Sequence, residues 1–372
     1  MDRHEELLSW AVGQDVKLNG IQPILIPGRG TGIVATREIK EGEVILVVPA
    51  SVFRSLDQVP KAISKRLPRQ TSIHALLATF LILDKTKRFS SYHAFFPILP
   101  SFASSIPLLW PPELHTFLPT PAKDILEKQQ RELERDWTTI SKAFPDMNYD
   151  QYLHSWLLVG TRSFYFETST MNRFPHNDRL ALPIADLFNH ADVGCDASFS
   201  QQGYKFIADR VYHAGEEIYT SYGDHSNDFL LTEYGFVLPE NRWDAVSLDD
   251  ILLPRFTEQQ KNDLRDKGFL GKYFLYQETG CCFRTQVALR MLCCTYEDWQ
   301  QFADAESEGE ASQGQVNVLL LQILNTYVEA IQQTLKDMEG TDIGETNQRE
   351  LLAGRWKQIE IMVAQAIKHL HS

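Results

Sequence analysis

The chain has 372 residues, of which 43% are hydrophobic and 11% aromatic, and this predicts a globular protein with at least one large buried core. Its formal net charge of -13 argues against the basic face that nucleic-acid binders present to phosphates, so no direct nucleic-acid partner is expected. A partner that carries Lys or Arg fits this charge, although acidity that serves only solubility is the commoner case.

Neither the N-terminus nor the longest apolar stretch indicates membrane insertion. Residues 1–14 predict an amphipathic acidic helix rather than a signal peptide, because they contain no long apolar core. Residues 73–83 form an apolar run that is too short to cross a bilayer. We expect a cytoplasmic and/or nuclear protein without a membrane partner, and we expect a monomer.

The five cysteines include two adjacent pairs, an arrangement unlike a spaced disulfide framework or a zinc-binding pattern. They are Cys195, Cys281, Cys282, Cys293 and Cys294. Their odd number and spacing indicate a reducing compartment. We interpret them as buried thiols rather than metal ligands.

The predicted elements change character along the chain. Residues 22–49 alternate β-branched runs with glycine, which predicts three strands joined by a tight loop and a turn. Helical periodicity follows over about 61–150, and a β signature returns at 205–222. Two Tyr-Gly pairs each follow a run that we interpret as a strand, and from about residue 243 the pattern is again helical. The order predicts an α+β chain.

The pattern A-x-R-x4-G-E occurs twice, in residues 35–43 and 208–216. Each copy lies at a strand and turn that lead into an apolar strand. The repeat predicts two similar β-hairpin units, one before and one after the helical insertion, that together build one β domain. A chance match of this length is the alternative.

The glycine-rich loop at 28–32 first suggests a dinucleotide-binding fingerprint. That fingerprint needs a helix directly after the glycines, whereas the following residues are β-branched. Two interpretations remain. The loop either lets backbone approach a ligand closely or is a tight strand connection.

Metal and nucleophile chemistry have weak support. Asp186 and His190 are four residues apart and could bind a metal with Asp192 or His176, but their segment lacks the helical length that such a pair needs. We therefore predict no metal site. A hydrolase is equally unsupported, because the chain has no G-x-S-x-G elbow and no cysteine in an evidently electropositive setting.

The order of several motifs is more specific than any one of them. Taken singly, Tyr222 and Tyr234 are typical of core tyrosines. The succession RGTGIVATREIKEGEVIL, a helical insert, GTRSFYF, PIADLFNH, AGEEIYTSYG and EYGF resembles the SET-domain methyltransferases. Within them it is similar to the subgroup typified by the plant Rubisco large-subunit lysine methyltransferase. The resemblance covers residues 20–240, and the helical tail is similar to that subgroup's C-terminal substrate-binding domain.

The resemblance implies the architecture. A β-rich SET domain of short strands with a knot-like threading would occupy 1–240, with a helical insertion at about 61–150. An all-α C-terminal domain would occupy 241–372. Such threading is rare among folds. The chain lacks the cysteine-rich zinc segments that flank many histone-directed SET domains, which fits a non-histone substrate.

The resemblance also implies S-adenosylmethionine as the cofactor, S-adenosylhomocysteine as the product, and a protein substrate that bears the target lysine. The residues implied at the cofactor are Arg29, Gly30, Thr31, Gly32, Arg162, Asn189, His190, Tyr222, Tyr234 and Phe236. Tyr222 would be catalytic and would line the lysine channel with Tyr234 and Phe236. Arg162 would meet the carboxylate of the cofactor, a role that suits a guanidinium group. Asp186 would anchor the threading rather than act as a base.

Methyl transfer from a sulfonium to an amine is an in-line displacement, so the enzyme chiefly positions two reactants. An apolar channel helps the target lysine to lose its proton, because burial penalises the ammonium form. We therefore predict a protein-lysine N-methyltransferase that acts on a non-histone protein, with ribosomal and translational proteins as candidates. Histidine N-methylation is one alternative. A catalytically silent SET-like binding module is the other, although it would not need the polar set of Asn189, His190 and Tyr222.

Overall fold

The computed structural model describes residues 3–86, 88–176, 179–183, 185–278 and 280–371. The chain divides into two compact units. The first unit comprises Met1–Phe102 with Glu127–Asp224, and the second comprises Ala103–Leu126 with His225–Ser372. The domain bounds 1–240 and 241–372 stay a prediction. Among the described residues, no helix combines the length and the apolarity that a bilayer span requires.

The first unit is built on short strands that lie before and after its helices. They are β1 (Lys17–Leu18), β2 (Ile21–Ile26), β3 (Gly30–Ala35), β4 (Val44–Pro49), β5 (Phe164–Tyr165), β6 (Leu180–Ala181), β7 (Asn189–Ser200), β8 (Gly203–Ile207) and β9 (Glu217–Thr220). One sheet of seven strands has the order β1-β4-β8-β7-β9-β3-β2, while β5 pairs with β6. The strands predicted within 22–49 and 205–222 are confirmed.

Helices open the chain and fill the predicted insertion. They are α1 (Arg3–Gly13), α2 (Lys61–Ser64), α3 (Ile73–Leu83), α4 (Ser90–His93), α5 (Leu99–Ala103), α6 (Pro112–His115), α7 (Thr120–Ala143) and α8 (Tyr149–Arg162). Side-chain caps begin two of them. The Ser72 hydroxyl accepts the Ala75 N–H at 3.0 Å before α3, and the Asn148 amide accepts the Gln151 N–H at 3.1 Å before α8. The predicted N-terminal helix and helical insertion are confirmed.

One strand pair brings distant residues of the first unit together. Strand β7 runs parallel to β9, with Asn189 opposite Tyr219 and His190 opposite Thr220. The other strand pairs of this sheet are antiparallel. The parallel pair therefore places the Asn-His dipeptide beside the strand that leads to Tyr222.

The two copies of the A-x-R-x4-G-E pattern adopt the same turn. In each copy the arginine forms an ion pair with the glutamate six residues later, Arg37 with Glu43 and Arg210 with Glu216. Each glutamate also accepts the backbone N–H three residues before it, at 3.1 Å in the first copy and 2.9 Å in the second. The glycine before each glutamate has a left-handed backbone, with φ of 78° and 86°. The repeat is thus structural.

The copies also pair with each other reciprocally. Ile39 and Tyr212, which occupy the same position in the two copies, exchange both backbone hydrogen bonds at 2.9 and 3.0 Å. The Ala35 N–H donates to Glu216 O and the equivalent Ala208 N–H donates to Glu43 O, both at 2.9 Å. A local two-fold axis through the 39–212 pair relates the copies. The predicted β domain built from separated pieces is confirmed.

The second unit is mainly helical. Its helices after residue 225 are α9 (Asn227–Tyr234), α10 (Asp249–Leu252), α11 (Glu258–Asp266), α12 (Phe283–Cys293), α13 (Tyr296–Ala303), α14 (Glu310–Glu339) and α15 (Thr346–His371). Three short strands also form a sheet, namely β10 (Ala245–Ser247), β11 (Phe274–Tyr276) and β12 (Gly280–Cys281). The helical C-terminal region is confirmed, but the prediction that it is all-α is wrong. Strands of two or three residues are too short to show a period of two.

The strand predicted before Tyr234 is also wrong, because this segment is α9. The Ser226 hydroxyl accepts the Phe229 N–H at 3.4 Å at its start, and the Gly235 N–H donates to Leu231 O at 3.0 Å at its end. These capping residues outweigh the short apolar run that suggested a strand.

Buried ion pairs fix α9 within the second unit. Arg355 of α15 is fully buried, and it binds Asp228 of α9 at 2.8 Å and Asp244 at 2.6 Å. Burial disfavours the charged guanidinium, but the two carboxylates raise the pKa of Arg355 above its usual value. Removing either acid would leave a buried charge poorly paired, so this network holds the helix that carries Tyr234.

All five cysteines are free thiols. Cys195 in β7 is buried, but the other four are partly exposed at the two ends of α12, so the prediction of buried thiols is wrong for them. Among the described residues, no group of three or more His, Cys, Asp or Glu side chains could hold a metal ion.

Candidate active site

Tyr222 is held by the segment around Asn189 and His190. Its backbone N–H donates to Nδ1 of His190 at 3.0 Å, and the two rings stack with centroids 4.9 Å apart. A backbone N–H can only donate, so Nδ1 of His190 is the unprotonated ring nitrogen. The neutral imidazole therefore carries its proton on Nε2.

The side chain of Tyr222 is held by the same segment. Its hydroxyl donates to the backbone carbonyl of Phe188 at 2.7 Å. Residues 188–190 thus bind Tyr222 at two points. His190 accepts its backbone N–H, and the Phe188 carbonyl accepts its phenol hydroxyl. The hydroxyl proton is directed to a carbonyl, so the phenolic oxygen is fixed in orientation and can serve an approaching group as an acceptor.

Glu217 in β9 connects Asn189 to the glycine loop. Its Oε1 accepts the Asn189 amide N–H at 2.8 Å. Its Oε2 accepts the Tyr219 hydroxyl at 2.7 Å and forms an ion pair with Arg29 at 2.8 Å. The hydrogen bond from Arg29 to Tyr219 and the Glu217 carboxylate hold the pKa of Arg29 above its usual value. The structure thus brings Arg29, Gly32 and Asn189 to one place.

Gly32 meets this cluster closely. A Cβ atom there would lie 2.8 Å from Oε1 of Glu217 and 2.9 Å from Nδ2 of Asn189. Ile26 would be closer still, at 2.3 Å. Only glycine fits at this position, because no larger residue leaves room for the cluster. Gly30 and Thr31 precede it in β3.

Arg162 ends α8 and binds Asp186 rather than a free anion. Its Nη1 lies 2.5 Å from Oδ2 of Asp186, and Oδ1 of Asp186 accepts the hydroxyl of Tyr92. Burial and the charge of Asp186 raise the pKa of Tyr92, so its hydroxyl stays protonated and donates. Burial disfavours the charged Arg162, but the Asp186 carboxylate and the Tyr92 phenol raise its pKa above the usual value. Each carboxylate oxygen of Asp186 thus accepts from a donor, which supports the predicted anchoring role.

Tyr234 and Phe236 lie in the second unit. Tyr234 is the last residue of α9, and its ring centroid lies 6.2 Å from that of Phe236. Burial raises the pKa of Tyr234 to about 12. The roles of both residues beside the cofactor and in the lysine channel stay predictions.

Polar atoms left over in the first unit suit the amino-acid end of S-adenosylmethionine. Oδ1 of Asn189 makes no hydrogen bond with the described chain and can accept one from an ammonium group. Nε of Arg162 is buried and has no partner among the described residues. An acceptor and a donor thus remain, together with the close backbone approach at Gly32. These residues fit the predicted cofactor.

A large cavity lies elsewhere in the first unit. Its volume is about 590 Å³, and Arg66, Phe144 and His154 are among its lining residues. None of the predicted site residues lines it. It is a separate feature of the helical insertion.

Several residues of the site were not singled out from the sequence, among them Glu217, Tyr219, Phe188 and Tyr92. Glu217 lies inside the AGEEIYTSYG motif, where a carboxylate as the first residue of the strand that leads to Tyr222 was a usable signal. Tyr92 lies in the helical insertion and is 94 residues from Asp186 along the chain, so no local pattern could reveal the contact.

A sequence model of the SET domain matches residues 30–223, which is more than half of the chain. The chain belongs to the SET-domain family. The matched residues include Gly30–Gly32 of the glycine loop, Arg162, Asn189, His190 and Tyr222. The predicted family is confirmed.

Relatives extend the similarity beyond the SET domain. The chain is 25% identical to "SET domain-containing protein 4" of Homo sapiens, over 99% of this chain and 91% of that protein. It is 27% identical to a ribosomal lysine N-methyltransferase of Schizosaccharomyces pombe, over 77% of this chain and 74% of that protein. The structure of Rubisco LSMT bound to AdoMet has a TM-score of 0.67 and 16% identity, over 100% of this chain and 92% of that one.

These findings confirm the predicted SET family and its fold, which is like that of Rubisco LSMT. The knot-like threading stays a prediction. The roles of individual SET-domain residues toward cofactor and substrate also stay predictions.

Proposed function

We propose that this chain is an S-adenosylmethionine-dependent protein-lysine N-methyltransferase that acts on a non-histone protein, with ribosomal or translational proteins as the favoured substrates. The main support for the proposal is that residues 188–190 hold both the backbone and the hydroxyl of Tyr222 by hydrogen bonds. This arrangement fixes the phenolic oxygen of Tyr222, and the same unit holds two polar atoms without a hydrogen-bond partner among the described residues that suit the cofactor. The names of the relatives and the AdoMet in the neighbouring structure support this class of enzyme.

The cofactor supplies an electrophilic methyl group on a sulfonium. The protein's own part is to hold and orient. Oδ1 of Asn189 would accept from a donor group of the bound cofactor, and Nε of Arg162 would donate to its carboxylate. Gly32 allows the backbone to approach closely.

Tyr222 positions the target amine and does not deprotonate it. Its hydroxyl donates its proton to the Phe188 carbonyl, which leaves the oxygen lone pairs to accept. The phenolic oxygen accepts a hydrogen bond from the neutral amine and so directs the nitrogen lone pair. Orientation of this kind supplies much of the rate in a two-reactant displacement.

A basic segment of a ribosomal protein matches the charge of this chain, which carries 49 acidic and 36 basic residues. Proteins of that kind present many lysines to an acidic enzyme. A cytoplasmic or nuclear location, where such proteins are made and assembled, belongs to this proposal.

The purified chain is incubated with labelled S-adenosylmethionine and a proteome extract, and the labelled residue is located by mass spectrometry. A matched reaction with Tyr222→Phe is the control for background transfer. Label on lysine that depends on Tyr222 supports the proposal. Label on histidine would show the alternative specificity, and failure of the purified chain to bind cofactor would favour the silent module.

A further inference from the structure

We propose that Glu217 is a positioning residue that fixes which end of the Asn189 amide faces the cofactor, and that it ties this amide to the glycine loop through Arg29. The inference rests on the proposed function, because it concerns the same site. It gives Glu217 a role in cofactor binding that neither the family motif nor the relatives assign.

The orientation of the amide follows from which atoms can donate. An ionised carboxylate only accepts hydrogen bonds, so the Asn189 atom 2.8 Å from Oε1 of Glu217 must be the amide nitrogen. The amide oxygen of Asn189 therefore points away from Glu217. It has no hydrogen-bond partner within the described ranges.

On the proposed function, the amide oxygen of Asn189 would accept from an N–H group of the cofactor. The α-ammonium of its amino-acid end and the exocyclic amine of its adenine both present N–H groups. An Asn189 side chain rotated by half a turn about its last bond would present its own NH₂ group to them and lose the hydrogen bond. Glu217 makes this rotation unfavourable, because it would bring the amide oxygen against the carboxylate.

The second carboxylate oxygen holds Glu217 itself in place. Oε2 accepts the Tyr219 hydroxyl at 2.7 Å and binds the Arg29 guanidinium at 2.8 Å, while Arg29 also donates to Tyr219 at 2.9 Å. Glu217 is mostly buried, with 11% of its side chain exposed, whereas 52% of the Arg29 side chain is exposed. The carboxylate is thus fixed from the solvent side by the glycine loop and turned inward toward Asn189.

The packing at Gly32 limits other arrangements. The Cβ position of this residue lies within 3 Å of both the Glu217 carboxylate and the Asn189 amide. The hydrogen-bonded pair therefore rests directly on the backbone of β3. A shift of Glu217 would move both the amide and the loop strand, so the three parts act together.

The neighbouring Glu216 provides a matched control. It has the same side chain one position earlier, but it pairs with Arg210 at the repeat turn and does not contact Asn189. We compare Glu217→Ala and Glu217→Gln with Glu216→Gln by calorimetric titration of S-adenosylmethionine. Thermal unfolding of each variant without ligand reports its folding.

Glu217→Ala is expected to weaken cofactor affinity by about tenfold, since the amide loses a charged partner that fixes it. Glu217→Gln keeps one acceptor oxygen and is expected to lose only about threefold. Glu216→Gln is expected to bind within about twofold of the wild type, because exposed ion pairs contribute little. Unchanged affinity in folded Glu217→Ala would overturn the inference.

A double-mutant cycle separates positioning from general support of the fold. In an Asn189→Ala background, Glu217→Ala is expected to cause less than about twofold further loss, because the amide that it orients is gone. Independent, multiplying losses would overturn the inference. If the wild type itself binds no S-adenosylmethionine, the proposed function fails. A wild type that binds well beside insensitive Glu217 variants would reject only the positioning role.

Discussion

The two copies of the A-x-R-x4-G-E turn share a backbone and an ion pair, yet the strands that leave them differ. The first copy leads into β4, where Ile45 and Val48 are fully buried. The second leads into β9, where Glu217 and Tyr219 bind Arg29 and Asn189, and on to Tyr222. Strand β4 therefore belongs to the hydrophobic core, whereas β9 carries residues of the candidate site.

The neighbours of the two strands differ as well. Strand β4 lies between β1 and β8, both antiparallel to it, whereas β9 lies between antiparallel β3 and parallel β7. The parallel neighbour β7 places Asn189 and His190 beside β9. The comparison teaches that the turn is scaffold, and that the site forms where a polar strand meets a parallel partner.

Tyr222→Phe tests the segment that follows β9 and has the largest expected effect on methyl transfer. Loss of the hydroxyl removes the oxygen fixed by Phe188 and is expected to lower methyl transfer by about a hundredfold. Cofactor affinity should stay within about twofold, because backbone and Asn189 contacts remain. Initial rates and calorimetry measure the two quantities.

Tyr212→Phe is the control, since its hydroxyl binds Asp209 at the repeat turn and lies outside the proposed chemistry. It is expected to keep wild-type turnover. Equal turnover by Tyr222→Phe and the wild type would contradict the role of Tyr222.

Asn189→Ala tests β7, the strand that runs parallel to β9 after the second copy of the turn. The amide oxygen, which has no hydrogen-bond partner among the described residues, is lost, and S-adenosylmethionine affinity is expected to fall by about tenfold. Ser198→Ala, in the part of β7 that pairs antiparallel with β8, is expected to bind normally. Calorimetry that shows the same affinity for both variants would remove the distinction between the two regions of β7.

Gly42→Ala and Gly215→Ala test whether the two turns are equivalent. Both residues have positive φ, and an added Cβ would meet nothing within 4 Å, so the cost is backbone strain alone. Each variant is expected to lose about 1 kcal/mol in the free energy of unfolding. Denaturant titration measures this loss.

Turnover should separate the same two variants. Gly215→Ala disturbs the turn that leads to Tyr222, so its methyl transfer is expected to be lower than that of Gly42→Ala. Clearly unequal losses of stability would show that the local two-fold relation does not extend to the energetics of the turns.

Sequence patterns predicted these strands and turns where the hydrophobic periodicity and the positions of the turn residues agreed. The strands within 22–49, the repeat and the association of Asn189-His190 with Tyr222 could all be read from motif order. The segment before Tyr234 misled, because its capping residues Ser226 and Gly235 were not weighed against a short apolar run.

Contacts between distant segments could not be predicted. The hydroxyl of Tyr92 reaches Asp186 from the helical insertion, and Arg29 reaches Glu217 from the glycine loop. Each depends on how the chain folds back on itself, which periodicity does not encode. The buried pairing of Arg162 with Asp186 also had no signal in the sequence, since the resemblance implied a contact with the cofactor for this arginine.

The smallest expected effect concerns the surface ion pair of the first copy. The Arg37 guanidinium, together with the Lys40 N–H, lowers the pKa of Glu43 from 4.5 to about 2. A carboxylate with a lowered folded-state pKa stabilises the protein above its unfolded-state value, and this contribution is lost as pH falls. The loss should therefore occur between pH 4.5 and about 2.

Glu43→Gln removes this titration and should flatten that part of the stability curve, measured as melting temperature against pH. Glu216→Gln is expected to act in the same direction, because Arg210 lowers the pKa of Glu216 as well. Solvent screens both exposed pairs, so each change should be slight and should shrink further in high salt. If only one of the two variants changed the dependence of melting temperature on pH, the matching turns would differ in their electrostatics as well as in the strands that follow them.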